Sequence, residues 1–425
     1  MNNKIKNWFY SLIFNQQNLQ FLLLILFCAY VFYCTILLFW YRISWCDGYA
    51  LGDWLINYED GGFKRRGLSG SFFLWTSRMT GLYVGKLIFV FILFWYISFF
   101  GLLLYHLRKY RFSLWYWGLL LCPTILPFVI NDFYAFGRKE IVFFLIGIIF
   151  LIGLEKNWTK SWWFISLVSC YIFVFTFFHE IFIFYLPYLI FMILIDYKKN
   201  SIKLEHNKIG VIILSSLIPT VAIFFFGGDI NQGNTWITLK SYGLSPNVMN
   251  GIMTWPKEGF GPGEKNALTF AFAHNYKTYL IPLILTYILF VTYLKINSNK
   301  ILTIKKFCMY FLCMLIYSSP LFFLSIDWGR WLNIHFVFIF LILSQLLPIY
   351  NNENKYLTKS MFTKNNIIIG SLTLVIILLN SFFYTMHHVD NGITFGKNIF
   401  LTNLRDYFWI IRHLYKYICT FIFLF

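Results

Sequence analysis

Gln20-Phe-Leu-Leu-Leu-Ile-Leu-Phe-Cys-Ala-Tyr-Val-Phe-Tyr-Cys-Thr-Ile-Leu-Leu-Phe-Trp-Tyr-Arg42 carries no charge before its last position. A helix rises 1.5 Å per residue, so about 20 such residues cross the ~30 Å hydrocarbon core of a bilayer. The pattern recurs near 86-106, 113-130, 141-155, 162-178, 181-195, 208-226, 280-294, 307-325, 335-350 and 367-385, with a further apolar run at 408-425. Several of these runs are shorter than a full span. The 425 residues are 59% hydrophobic, 23% aromatic and 12% charged, with mean hydropathy +0.65. Such a chain reads as an all-α, polytopic integral membrane protein with about 11-12 transmembrane helices, outer-face loops and juxtamembrane helices. No charged linker is long enough to set off a soluble part, and no internal repeat appears, so residues 1-425 read as one membrane domain. Residues 1-18, with Lys4 and Lys6 ahead of Trp8-Phe-Tyr, read as an interfacial segment without a signal-cleavage site.

The formal charge is +18. In this class it points to membrane phosphates and loop orientation, and not to nucleic acid. The eight cysteines lie in or at the end of apolar runs without CxxC or Cys/His spacing, so neither a disulfide frame, a metal site nor a cofactor is expected.

Basic residues collect in short cytoplasmic loops. With the N-terminus inside, the inner connections are Arg108-Lys-Tyr-Arg111, 156-160, 198-208, 295-306 and 355-364, nearly all lysine. The basic count divides almost evenly between the two sides, but 13 of the 17 acids (all but Glu155, Asp196, Glu205 and Glu353) and every arginine except Arg108 and Arg111 fall outside. The chemically rich segments then share one face: a first outer loop at 43-85, Gly137-Arg138-Lys139-Glu140, the turn Phe178-His179-Glu180, a large loop at 227-279, Asp327-Trp328-Gly329-Arg330-Trp331, and His387-His-Val-Asp390. The opposite orientation would turn the same loops towards the cytoplasm.

The richest stretch is Tyr58-Glu-Asp-Gly-Gly-Phe-Lys-Arg-Arg-Gly-Leu-Ser-Gly70. Glu59 and Asp60 precede two glycines that permit close backbone approach, and Lys64, Arg65 and Arg66 follow. A guanidinium binds phosphate oxygens bidentately, so the stretch reads as a diphosphate clamp, or else as an anchor on lipid phosphates. Arg138 and Lys139 stand at a helix mouth, where anions also bind; capping alone would explain them as well. His179 and Glu180, at membrane depth, read as a phosphate or sugar contact and a base, or as a packed pair. Asp327 and Arg330 are three apart, on one face if helical, with Trp328 positioned to stack on a sugar or to sit in an interfacial aromatic belt.

Outer-face carboxylates in the first loop, arginines spread over separate outer loops, a long aromatic loop in the second half and eleven or twelve spans together resemble the GT-C class of membrane glycosyltransferases. Within it the layout is similar to the Wzy-type repeat-unit polymerases of bacterial O-antigen and capsule synthesis. The resemblance implies a protein of the bacterial inner (plasma) membrane with its active face towards the periplasm. It would transfer a growing glycan from a polyprenyl-diphosphate-linked oligosaccharide donor to a sugar hydroxyl of a lipid-linked acceptor. Membrane lipids and a chain-length regulator are the other partners it implies. Arg65, Arg66, Arg138 and Arg330, with Lys64, Lys139, His179 and Trp328, would bind the diphosphate and sugar. Asp60 would be the base, with Glu59, Glu180 and Asp327 as competitors. Two other readings stay open: a GT-C transferase that adds one sugar from a polyprenyl monophosphate, and a lipid-linked glycan flippase.

Overall fold

The computed structural model describes residues 16-44, 46-110, 112, 114-132, 137-200, 205-228, 230-250, 271, 273-274, 276-296, 302-347, 375, 384-387 and 393-395. The chain is an all-α polytopic membrane protein: among the described residues five helices are long and apolar enough to cross a bilayer. In chain order the helices are α1 (Gln16–Ser44), α2 (Gly67–Thr80), α3 (Val84–Leu107), α4 (Leu114–Leu120), α5 (Glu140–Glu155), α6 (Trp162–Phe178), α7 (Phe182–Asn200), α8 (His206–Phe226), α9 (Gln232–Ser241), α10 (Leu280–Ile296), α11 (Ile304–Leu324) and α12 (Trp328–Ser344). The only strands among the described residues are β1 (Tyr384–Met386) and β2 (Ile393–Phe395), paired antiparallel.

Four expectations change. Residues 113-130 are not one span: α4 ends at Leu120, and turns through Pro123 and Pro127 lead to a short helix, Phe128–Asn131. Proline removes an N–H donor and clashes with the preceding turn. The span expected at 335-350 is instead α12, so Asp327-Trp-Gly-Arg-Trp331 is its first turn and not a loop. The outer loop at 43-85 contains α2, and within 227-279 lie α9 and two short 3-10 turns, Pro246–Met249 and Tyr276–Tyr279. The segment 367-385 ends in β1. Most of 367-383, residues 251-270, the N-terminal 1-15 and the run at 408-425 lie outside the described residues.

The core forms where α5 and α12 pack together, with α3 on one side and α7 on the other. Nearly every residue of α5 and α12 is buried; between Glu140 and Glu155 α5 is apolar all round, as expected of a helix inside a bundle, whereas α12 buries Arg330, Asn333 and His335 with polar partners. α1 and α3 pack side by side, and α6 runs along α8. Buried polar groups tie helices together in the interior: His335 of α12 bonds Ser318 of α11 at 2.7 Å and also Tyr188 of α7.

Helix length then shapes one end. Thr176 Oγ1 donates to Ser216 Oγ (3.4 Å); α6 stops at Phe178, whereas α8 continues to Phe226. At 1.5 Å per residue α8 overtops the end of α6 by roughly 12 Å. Phe178 also stacks on Phe91 (6.3 Å), which lies about 10 Å inside the start of α3. The turn His179-Glu180 therefore lies below the rim of its neighbours. The opposite end is chemically different: Glu155 binds Lys109 (2.7 Å), and Lys199 and Lys208 donate to the carbonyls of Gln345 (2.7 Å) and Lys160 (2.6 Å).

Between α1 and α2 the chain folds back so tightly that Gly70 N–H donates to Ile56 O (3.1 Å), and an added Cβ would lie 2.2 Å from that oxygen. Gly70→Ala is expected to destabilise by about 2 kcal/mol or more, because backbone has to move. In α3, a Cβ on Gly101 would meet nothing within 4 Å, so Gly101→Ala should be neutral or stabilising by up to ~1 kcal/mol. Thermal unfolding in detergent checks the pair; equal effects would refute the packing argument.

Candidate functional site

The stretch 58-66 closes on itself before it reaches the site. Gly61 and Gly62 take φ of 133° and 89°, Tyr58 stacks on Phe63, and Gly228 N–H donates to Phe63 O (2.9 Å), tying the loop to the end of α8. Arg66 then adopts the left-handed conformation (φ 63°) immediately before α2. A non-glycine residue rarely does so, and at about 1 kcal/mol of cost the surroundings must enforce it.

They do so through carboxylates. Arg66 Nη1 donates to Asp53 Oδ1 (3.0 Å), while Nε and Nη2 grip Glu180 from the α6–α7 turn (3.1 Å each). Arg65, 58% exposed, reaches the same Glu180 from the rim at 3.2 Å. Lys139, fully buried, donates to Ser69 Oγ (3.0 Å) and Phe178 O (2.9 Å), with Asp53 at 3.7 Å. Trp54 lies under this group, its indole N–H bonded to Gly137 O (2.8 Å) and its ring against Lys139. A second cluster adjoins the first. Arg330 Nε donates to Glu140 Oε1 (2.7 Å) and Nη1 to Asp327 Oδ2 (2.6 Å). Glu140 is the first residue of α5, where a carboxylate also suits the helix dipole. Arg138, Glu140, Arg330, Asn333 and Tyr96 line a small cavity with room for about one water.

Burial opposes ionisation of Asp53 and Glu180, but Lys139 and Arg66 for the former, and Arg66 and Arg65 for the latter, hold both well below the usual carboxylate range. Burial lowers Arg138 to about 10, with Arg330 adding to the shift. Burial also pushes Lys139 down to about 8, against the opposing pull of Asp53. The unfolded lysine titrates near ~10.4, so between about pH 8 and 10 the unfolded chain binds more protons, and stability should rise with pH by up to ~1.4 kcal/mol per unit. Thermal unfolding from pH 8 to 10 should show that rise in the wild type and lack it in Lys139→Met; parallel profiles would refute it.

The residues expected from sequence separate into distinct places. Arg65, Arg66, Lys139, His179 and Glu180 come together, and Arg138, Arg330 and Asp327 form the neighbouring cluster. Asp60 is buried against Lys64 and the Thr235 hydroxyl of α9, a contact that fastens the loop to α9. Glu59 pairs with Arg78 at the surface (2.8 Å). Trp328 packs on Tyr276 and donates to Phe322 O (2.8 Å). Two central residues, Asp53 in the first outer loop and Glu140 at the end of Gly137-Arg138-Lys139-Glu140, carried no site role in the sequence reading. Each is a carboxylate beside an apolar run, the signal that had drawn attention to Glu180.

Among the described residues no group of three or more His, Cys, Asp or Glu side chains is placed to hold a metal. Comparison with protein-family models, with curated proteins and with solved structures found no match.

Proposed function

We propose that this protein is a membrane glycosyltransferase that polymerises polyprenyl-diphosphate-linked repeat units at the outer leaflet of a bacterial plasma membrane. One observation carries the reading. Arg65, Arg66, Lys139, Arg138 and Arg330, from three separate connections, converge with four carboxylates below the rim of one end of the bundle. A lipid diphosphate has its headgroup at that level and its charge matched by guanidinium forks.

In the transfer, the bond between the donor sugar's anomeric carbon and the diphosphate oxygen breaks, with the electron pair leaving on the diphosphate. The acceptor hydroxyl oxygen bonds to that carbon, and its proton goes to a carboxylate. Arg65, Arg66, Arg138 and Arg330 stabilise the leaving charge. Glu180 serves best as base, because it lies among the arginines and is still 17% exposed, whereas Asp60 is enclosed by Lys64 and Thr235. Free Glu180 is a weak base because Arg66 and Arg65 depress it. A diphosphate that draws those guanidiniums away raises its proton affinity, so the base strengthens only when the donor is bound.

The test is the length distribution of surface polysaccharide in a strain lacking the protein, complemented by wild type, Glu180→Gln or Arg65→Ala/Arg66→Ala at matched expression. Loss of the long-chain ladder with a single repeat unit still at the surface is expected, without rescue by either variant. A ladder lacking only a branch sugar would establish single-sugar transfer instead. Loss of all surface units, with lipid-linked units retained inside, would establish transport.

A further inference from the structure

At the end of the bundle opposite the candidate site, the carboxylates are already taken. Glu155 at the end of α5 binds Lys109 (2.7 Å), His106 Nδ1 (3.0 Å) and the Tyr110 hydroxyl, and Glu205 binds Lys208 (3.1 Å). Asp196 accepts from Asn200 (2.6 Å). Arg108 and Lys156, both exposed, have no carboxylate partner among the described residues. They are drawn together all the same. The Arg108 guanidinium lies 4.3 Å from the centre of the Tyr105 ring and the Lys156 ammonium 6.0 Å from the same centre, so the two charges are at most about 10 Å apart. Arg108 follows the last residue of α3 and Lys156 the last of α5, and the packing of those helices sets the pair. A cation at a helix C-terminus complements the dipole, but the dipole does not require two cations on one ring.

The pair stands at the head of a row that faces outward. Phe94, Ile97, Gly101 and Tyr105 of α3 are all exposed and recur at the three- and four-residue spacing that puts side chains on one helix face. Arg108 continues the row one turn beyond Tyr105. Among the described residues nothing lies within 4 Å of where a Cβ on Gly101 would stand, so the row is notched between Ile97 and Tyr105. After Lys156 come exposed Trp158 and Trp163, their rings 5.9 Å apart, a residue type that settles at the depth of lipid headgroups.

The chemistry selects the ligand. A guanidinium fork and an ammonium without carboxylates suit a phosphate, and an apolar row leading to them suits an acyl chain attached to it. We infer that Arg108, Lys156 and Tyr105 form a binding site for one anionic diacyl phospholipid, its phosphate between the two cations and an acyl chain along the α3 row at Gly101. The site is separate from the Arg66 and Arg330 clusters and independent of the transferase reading. In those clusters the protein's own carboxylates neutralise each guanidinium, whereas here the lipid supplies the missing charge.

The experiment titrates full-length, delipidated protein in detergent with dioleoyl phosphatidylglycerol or dioleoyl phosphatidylcholine and counts retained lipid by native mass spectrometry. The acyl chains are identical and only the net charge differs. Wild type is expected to hold one phosphatidylglycerol in preference to phosphatidylcholine. A cation near an anionic headgroup strengthens association about fivefold, so Arg108→Ala/Lys156→Ala should weaken phosphatidylglycerol binding by about twentyfold and leave phosphatidylcholine unchanged. Lys305→Ala/Lys306→Ala removes two exposed charges from the first turn of α11, at the same end, and should keep the preference. Equal weakening by both double variants would show diffuse attraction and overturn the site. So would a wild type that holds the two lipids alike, or one stabilised by inorganic phosphate as much as by phosphatidylglycerol, which would make the pair a free-anion site. A lowered melting temperature of Arg108→Ala/Lys156→Ala in lipid-free detergent, with phosphatidylglycerol retention unchanged, would make the two cations helix caps and overturn it as well.

Discussion

Arg66→Ala is expected to destabilise the protein by about 3–5 kcal/mol, because it leaves Asp53 and Glu180 buried with only part of their compensating charge. Two refinements follow from the geometry. Arg66 sits at φ 63°, so Arg66→Gly should be about 1 kcal/mol less damaging than Arg66→Ala, the difference reporting backbone strain alone. The penalty should also depend on pH. Both carboxylates are depressed in the folded state, so their contribution is complete above the unfolded carboxylate range near pH 4 and is lost as pH falls below it. Arg66→Ala should therefore differ most from wild type at neutral pH and converge with it in acid. Unfolding in detergent across pH 3 to 7 measures this, and a difference independent of pH would show that the ion pairs are not the cause.

Arg330→Lys is expected to abolish long-chain product and to destabilise by about 2–4 kcal/mol, although charge is conserved. The guanidinium of Arg330 holds Glu140 through one edge and Asp327 through another. A lysine offers a single ammonium and cannot span both carboxylates in the same geometry. The change would leave part of a buried pair uncompensated, which costs more than losing the pair together. The surface ladder and the melting temperature of the variant give the two readouts, and a variant that keeps both would remove Arg330 from the site. The contrasting change, Arg78→Ala, breaks only exposed contacts, with Glu59 and the Tyr242 hydroxyl, and should leave the melting temperature nearly unchanged.

Residue pattern exposed the bundle and the charged islands on one of its faces, because uncharged runs of spanning length and the turns between them are local properties. Pairing was not legible. Arg66 and Glu180 are 114 positions apart, and Arg330 and Glu140 are 190 apart, so no spacing rule connects them. Asp53 lay between Gly52 and Trp54 without a basic neighbour, and Glu140 looked like a helix cap, so neither suggested a partner. The early start of α12 was hidden for a related reason. Hydropathy scores Asp327, Arg330, Asn333 and His335 against a lipid surround, whereas the structure buries them in protein with partners for each. Asp60 drew attention because it sits beside Glu59, two glycines and a basic triplet, and that triplet was itself sufficient to bind it in an ordinary loop-closing pair.

The unequal lengths of α6 and α8 bear on the surrounding lipid as well as on the protein. At 17 residues α6 spans roughly 26 Å, while α8 at 21 residues spans roughly 32 Å, with Phe224, Phe225 and Phe226 exposed at the end that overtops α6. A leaflet that meets exposed Trp163, Leu167 and Phe173 along α6 faces hydrophobic mismatch, and it responds by local thinning. Headgroups beside α6 then sit deeper than those beside α8, at the level of Arg65. Under the transferase reading proposed above, the bilayer itself would deliver lipid phosphates to the rim of the site, and membrane thickness would control how readily they arrive.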